Sequence, residues 1–100
     1  MSRIYSAEEL SEYDGIKRQE IYVSVRGKIY DMTPGKDFYG PGAGYHIFAG
    51  KECSRALAKM SLSADDCTGE LGDLDEKQLK VLDDWQKKFD EKYTFVGRLG

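Results

Sequence analysis

The sequence predicts an α+β fold, a small mixed sheet with short helices, on three observations. Residues 21–32 read as two strands joined by a tight turn. Two segments open with helix-capping sequences, at Ser6 and at Asp75. Residues 36–52 form a glycine-rich aromatic stretch that fits neither a strand nor a long helix.

In chain order, Ser6-Ala7-Glu8-Glu9 has the capping-box form, with Glu9 reaching back to Ser6. It predicts a short helix to about Tyr13, broken by Asp14-Gly15. Ile21, Val23 and Val25 alternate along one strand, Arg26-Gly27 is the turn, and Lys28-Ile29-Tyr30-Asp31-Met32 returns. Thr33-Pro34-Gly35 ends the hairpin, and the glycine-rich stretch follows as loop with short helical turns. Cys53, Ala56, Leu57 and Met60 fall at i, i+3, i+4 and i+7, which predicts a helix over 52–60 with all four facing the core. Residues 61–72 are polar and broken, a loop. Asp75 to Gln78 caps the longest helix, running to about Lys92, with Leu79, Leu82, Trp85 and Phe89 inward and Lys80, Asp84, Lys87 and Lys88 outward. Thr94-Phe95-Val96 is a short final strand before Gly97-Arg98-Leu99.

One hundred residues suit a single domain, 1–100. A chain that is 40% hydrophobic and 33% charged reads as soluble and globular. Its net charge of −3 disfavours nucleic acid, which calls for a basic face. No apolar run approaches the roughly 20 residues of a membrane span, and Met1-Ser2-Arg3-Ile4-Tyr5 is no signal peptide. These features point to a cytoplasmic protein, at most peripheral to endomembranes. Cys53 and Cys67 are too few and too far apart in sequence for zinc and read as two reduced thiols.

The stretch Lys36 to Glu52 carries Phe38, Tyr39, Tyr45, Phe48 and the sole histidine, His46, among glycines Gly40, Gly42, Gly44 and Gly50. Glycine lets backbone approach a flat partner, and aromatics supply flat apolar walls and phenol oxygens. This pattern suits a planar ligand. If that ligand is haem, one histidine cannot provide the two-histidine ligation of an electron-transfer cytochrome in a monomer. His46 would act alone or with Met60, but composition favours a solvated surface histidine and a core methionine. Tyr45 is the better candidate, because ferric iron favours phenolate oxygen. A free phenol titrates at about 10, and a bound metal cation displaces its proton. Lys92 and Tyr93 would assist if the end of the last helix folds back on the glycine-rich loop. Composition alone still favours Tyr39 and Tyr45 as half-buried packing tyrosines.

Enzymatic signals are absent. Asp65-Asp66 and Asp83-Asp84 are adjacent carboxylates that diverge into solvent. Gly40 to Gly44 lacks the Lys-Ser/Thr of a phosphate loop, and there is no nucleophile elbow or C-x-x-C-H. Arg55, Lys59, Lys87 and Lys88 read as solvated helix faces.

Ile21 to Thr33 resembles the strand–turn–strand that opens cytochrome b5-like domains, but the His-Pro-Gly-Gly haem motif of cytochrome b5 is missing. In its place stand Phe38-Tyr39-Gly40-Pro41-Gly42-Ala43-Gly44-Tyr45 and Phe48-Ala49-Gly50-Lys51-Glu52-Cys53-Ser54-Arg55-Ala56-Leu57-Ala58. With Leu82-Asp83-Asp84-Trp85, Phe89, Lys92-Tyr93 and Val96-Gly97-Arg98-Leu99, these resemble the membrane-associated progesterone receptor (MAPR) family of b5-like haem/steroid-binding proteins. The resemblance implies a cytochrome b5-like haem/steroid-binding fold, with non-covalent haem b in a groove between short helices and no enzymatic activity. It implies axial ligation of iron by Tyr45, a pocket-lining Tyr39 beside it, and Lys92 and Tyr93 at the haem edge. It further implies steroid or sterol binding and support of cytochrome P450 enzymes, and an exposed haem face permits a haem-mediated dimer. The alternative is an apo steroid-binding or protein-interaction module. Three departures from the family pattern stand out: Glu52 for the usual Asp, Cys53 for a small alanine, and His46, which adds a competing ligand. The family's membrane anchor has no counterpart, as in its shorter soluble members.

Overall fold

The computed structural model describes residues 3–100. Its strands are β1 (Ile4–Tyr5), β2 (Tyr22–Val25), β3 (Lys28–Asp31) and β4 (Thr94–Leu99). Its helices are α1 (Ala7–Leu10), α2 (Lys36–Tyr39), α3 (Ser54–Lys59) and α4 (Glu76–Lys92), with 3-10 turns at Thr33–Gly35, His46–Phe48 and Ala64–Asp66. The strands form one sheet in the order β1-β4-β3-β2. β1 pairs with β4 in parallel and the other neighbours are antiparallel, so the sheet is mixed as expected.

Both capping boxes form. The Ser6 hydroxyl accepts from Glu9 N–H at 3.0 Å, and the Asp75 carboxylate accepts from Gln78 N–H at 2.8 Å. α1 stops at Leu10, short of the expected Tyr13. The reason is pairing beyond it: the Tyr13 carbonyl accepts from Tyr22 N–H at 2.9 Å, and Asp14 bridges to Ile21. At the other end, β4 runs through Gly97-Arg98-Leu99, three residues past the expected strand, because β1 pairs along it. A Cβ on Gly97 would lie 2.5 Å from the Arg3 carbonyl and 2.7 Å from the Tyr5 ring, so this contact admits only glycine.

The sheet buries both faces. On one lies the main core, in which Val23, Val25, Tyr30 and Met32 meet Phe48, Leu57, Leu82 and Phe89. On the other, α1 and the chain after it place Leu10 and Tyr13 against Tyr5 and Ile29. The alternation of Ile29 and Tyr30 between these clusters is the period-2 pattern of a strand. α4 buries Leu82 and Phe89, half-buries Leu79 and Trp85, and leaves Lys80, Asp84, Lys87 and Lys88 exposed, as expected.

The hairpin tip is tied to both α3 and α4. Ser24 Oγ and Gly27 N–H donate to Glu52 Oε1, each at 2.9 Å, while Ser54 N–H (2.8 Å) and Ser54 Oγ donate to Oε2. Arg26, in the left-handed region at φ 51°, donates its N–H to Ser54 Oγ at 2.7 Å. Its guanidinium pairs with Asp83 at 2.6 Å, and Gln86 Nε2 donates to the Val25 carbonyl at 3.1 Å.

Three readings are corrected. Met60 ends α3 in the left-handed conformation (φ 52°) and is 76% exposed, because the helix stops one residue before the stripe would bury it. Arg55 is no solvated face: it forks onto Asp73 at 2.5 and 3.0 Å and pairs with Asp66 at 3.4 Å. Asp66 is thereby half-buried, while Asp65 is exposed as expected.

Truncating Glu52 to alanine strands the Ser24, Gly27 and Ser54 donors. Urea unfolding of Glu52→Ala is expected to show a loss of about 3 kcal/mol; a loss below about 0.5 kcal/mol would show the carboxylate to be dispensable. Acid has a defined effect too. The Tyr30 hydroxyl and then Lys28 hold Asp90 below the usual carboxylate range, Arg55 does so for Asp73, and the Ser61 hydroxyl and Lys59 do so for Asp66. A carboxylate whose pKa falls on folding contributes stability above its unfolded value of about 4 and loses it as pH falls toward the folded value. The urea midpoint should therefore stay level from about pH 7 to 5 and drop below about pH 4.

Candidate functional site

The glycine-rich stretch and the two main-face helices enclose a groove open to solvent. One half is lined by Tyr45, Phe48, Ala56, Leu57, Met60 and Trp85, with Leu62 at its rim. The other is lined by Tyr39, Trp85, Lys88, Phe89, Lys92 and Tyr93, with Phe38 at its rim. Trp85 lines both halves and separates them.

The local sequence explains this shape. α2 ends at Gly40, whose Cβ would lie 2.5 Å from the Lys36 carbonyl, so the chain leaves the helix abruptly after Tyr39. It then loops until Tyr45 N–H reaches the Phe38 carbonyl at 2.9 Å, which brings the two tyrosines side by side. Their ring centroids are 5.7 Å apart. Phe48 stacks under Tyr45 at 5.8 Å, and Trp85 meets Tyr45 edge-on at 6.3 Å. Tyr93 meets Tyr39 edge-on at 6.3 Å. Tyr93 fits only because residue 35 is glycine: a Cβ there would lie 2.7 Å from the Tyr93 hydroxyl.

The two central tyrosines differ in burial. Tyr39 is 4% exposed, and burial, reinforced by Tyr93 and Tyr45, pushes its phenol well above the ordinary value, so it stays a neutral donor. Tyr45 is half-buried at the groove surface. Tyr45 lines one half of the groove and Tyr39 the other. Tyr39 and Tyr45 touch as rings and make no hydrogen bond to each other.

Tyr39, Lys92 and Tyr93 thus share one half and Tyr45 commands the other. The end of α4 folds back on the start of the glycine-rich stretch, where Tyr93 meets Tyr39 at the end of α2. His46 is neither solvated nor a competitor within the groove. Its ring is half-buried, and Nε2–H donates to the Asp14 carbonyl at 2.9 Å, away from both halves. Sequence reading placed Phe48 among the flat walls, where it lies, but assigned Trp85 no part in the groove. Trp85 was legible only as a member of the α4 stripe, and nothing local distinguishes a half-buried member from a buried one.

Each half encloses about 160 Å3. Small-molecule sites usually hold roughly 300 Å3 or more. A planar ligand must therefore span both halves or turn Trp85 aside. The donor set fits a haem: flat apolar walls, one phenol at the surface, and two lysines, Lys88 and Lys92, at one end for carboxylates. A group of three or more His, Cys, Asp or Glu able to hold a bare metal ion is absent among the described residues.

The family description "Cytochrome b5-like Heme/Steroid binding domain" matches residues 6–100. The chain belongs to that family. It is 47% identical to "Probable steroid-binding protein 3" of Arabidopsis thaliana over 95% of this chain and 96% of that one. It is 43% identical to human "Membrane-associated progesterone receptor component 2", covering 97% of this chain but only 45% of the longer human protein. A solved Arabidopsis thaliana structure, described as having a cytochrome b5-like fold, superposes with a TM-score of 0.88 at 45% identity, covering 98% of this chain and 91% of that one. The fold is thus cytochrome b5-like and the relatives are those of the MAPR family. No helix of the described residues is long and apolar enough to cross a membrane.

The Gly35–Tyr93 contact gives a local test of the groove's end. Gly35→Ala is expected to cost about 1–3 kcal/mol by overpacking. In a Tyr93→Phe background, which removes the nearest atom, the cost should shrink. Equal costs in both backgrounds would show that Tyr93 does not set the space at residue 35.

Proposed function

We propose that this chain is a non-enzymatic haem-binding protein of the MAPR type, with Tyr45 as the iron ligand. The observation that carries this is the Tyr45 phenol at the surface of an apolar groove, between Phe48 and Trp85 and beside a neutral Tyr39. Haem b bound there would supply a five-coordinate ferric centre whose anionic ligand favours Fe(III) over Fe(II). Tyr45 would give up its proton to bind. Tyr39, kept neutral by burial, would donate a hydrogen bond toward that oxygen. Phe48 and Trp85 would exclude water around Tyr45, and Lys92 with Lys88 would meet carboxylates at the edge. Tyr93, packed on Tyr39 and Phe89, would hold that edge in place. Such a centre suits haem handling or support of cytochrome P450 enzymes better than electron shuttling, and its open face permits a haem-mediated dimer. The chain would work in the cytoplasm or at the surface of endomembranes.

A second reading has its own support. Ala56, Leu57, Met60 and Leu62 make an aliphatic wall suited to a sterol, and relatives are named steroid-binding proteins. On this reading the groove takes a steroid with no iron.

Titration with haemin separates the two. Wild type and His46→Ala should bind one equivalent with a high-spin ferric tyrosinate spectrum, and Tyr45→Phe should lose that spectrum. Binding retained in Tyr45→Phe but lost in His46→Ala would move the ligand to His46. Failure of wild type to bind, with a radiolabelled steroid retained, would favour the steroid reading.

A further inference from the structure

The glycine-rich stretch that carries Tyr45 lies against residues 10–15 at three points, in antiparallel order. The Pro41 ring rests on Gly15, where a Cβ would come within 3.2 Å of Pro41 Cδ. His46 Nε2–H donates to the Asp14 carbonyl at 2.9 Å. Gly50, at φ 73°, meets the Leu10 and Ser11 carbonyls, each 3.2 Å from where its Cβ would stand. Of these three contacts, the hydrogen bond is the one made by the residue next to Tyr45.

The receiving stretch is itself held. Asp14 Oδ1 accepts from the Ile16 and Lys17 N–H groups, each at 2.9 Å, and Asp14 bridges to Ile21. The Tyr13 ring stacks on Tyr22 at 4.2 Å, and Leu10 and Tyr13 are buried on the second face of the sheet. The Asp14 carbonyl is therefore presented from a part of the molecule that the sheet fixes.

The crest of the loop has no such support. A Cβ on Gly42 or Gly44 would meet nothing within 4 Å. The Tyr45 N–H bonds to the Phe38 carbonyl at 2.9 Å and the Tyr45 carbonyl accepts from Phe48 N–H at 3.0 Å, so both backbone partners are close in sequence. Downstream the chain is seated: Phe48 is buried, and Gly50 N–H bonds to the Tyr22 carbonyl at 2.7 Å. Tyr45 and His46 stand where the open crest gives way to this seated end.

We propose that His46 is a positioning residue for Tyr45: held on the Asp14 carbonyl, its imidazole fixes the depth of the phenol in the groove and slows the loss of bound haem. The effect on haem rests on the reading of Tyr45 as the iron ligand. The His46 ring lies away from both halves of the groove, so it acts through the loop and not on the ligand. A ligating side chain must be held to within about 0.5 Å by the residues behind it, and a single neighbouring hydrogen bond to a fixed carbonyl supplies that hold. What matters is an N–H at the reach of Nε2. An extended glutamine places its amide N–H there, whereas asparagine reaches only as far as Nδ1.

The test compares His46→Gln, His46→Asn and His46→Ala with wild type. Without haem, amide hydrogen exchange at Tyr45 and Phe48 should quicken about fivefold in His46→Ala and His46→Asn and stay near wild type in His46→Gln, with exchange in α4 unchanged throughout. With haemin, all three variants should keep the tyrosinate spectrum, while transfer of haemin to an apoglobin acceptor should quicken about fivefold in the alanine and asparagine variants only. Equal rates across the series, a glutamine variant that behaves like alanine, or exchange quickened as much in α4 as at Tyr45 would overturn the proposal. Loss of the tyrosinate spectrum in His46→Ala would overturn it too, by making His46 a ligand. If wild type binds no haemin, the reading of Tyr45 as ligand fails, and the exchange rates alone decide whether His46 sets the position of Tyr45.

Discussion

The structure turns on what the tip of the β2–β3 hairpin holds. Glu52 gathers hydrogen bonds from Ser24, Gly27 and Ser54, so its carboxylate fixes the start of α3 against the sheet. The same tip holds α4 through the Arg26–Asp83 ion pair and the Gln86 bond to Val25. The two walls of the groove are thus set by one turn rather than by direct packing alone. Charge-assisted bonds in a partly buried place are about twice as strong as neutral ones, and a donor left without its partner there is costly. That asymmetry makes Glu52 a positional constraint more than a source of net stability. It also explains how Arg26 tolerates a left-handed backbone: its own N–H and its side chain are both held from outside the turn.

Above this frame runs a continuous aromatic chain, Tyr45 to Trp85 to Phe89 to Tyr93, with Tyr39 touching Tyr45, Phe89 and Tyr93. Edge-to-face pairs of this kind contribute about 0.5–1.5 kcal/mol each beyond burial. Here they also keep the groove shallow. Trp85 stands where a ligand spanning both halves would have to lie, with Lys88 Nζ 5.5 Å from its ring. A single half-buried indole thus divides the groove, rather than a stretch of backbone.

What the sequence disclosed follows from the range of each interaction. The capping boxes at Ser6 and Asp75 were legible because all partners lie within four residues. The hairpin was legible because alternation and turn chemistry are local. β1 was not, since two residues carry no period and its partner strand lies at the far end of the chain. The early stop of α1 was equally hidden, because it depends on Tyr22 taking the Tyr13 carbonyl. Met60 followed the helical period and still ended exposed, since periodicity does not announce where a helix stops. The site was legible as a set of residue types through the glycine and aromatic pattern. The role of Trp85 as divider and the anchoring of His46 on Asp14 were not, because each joins segments whose separation only the fold closes.

Burial divides the work between the two adjacent phenols. Tyr39 lies at the end of α2 with its ring enclosed by Phe89 and Tyr93, and its hydroxyl is held in the neutral form. Tyr45 leaves the glycine-rich loop half-buried, with one face on Phe48. A cation arriving from solvent meets the second before the first. On the proposed reading this order decides the chemistry: the exposed phenol exchanges its proton for a metal, and the enclosed one remains a donor that steadies the resulting charge. Swapping their depths would leave composition and net charge unchanged, yet it would put the donor phenol at the mouth and the proposed ligand behind it. The function proposed for this chain therefore rests less on which residues line the groove than on their difference in depth, which Gly40 and the loop to Tyr45 establish.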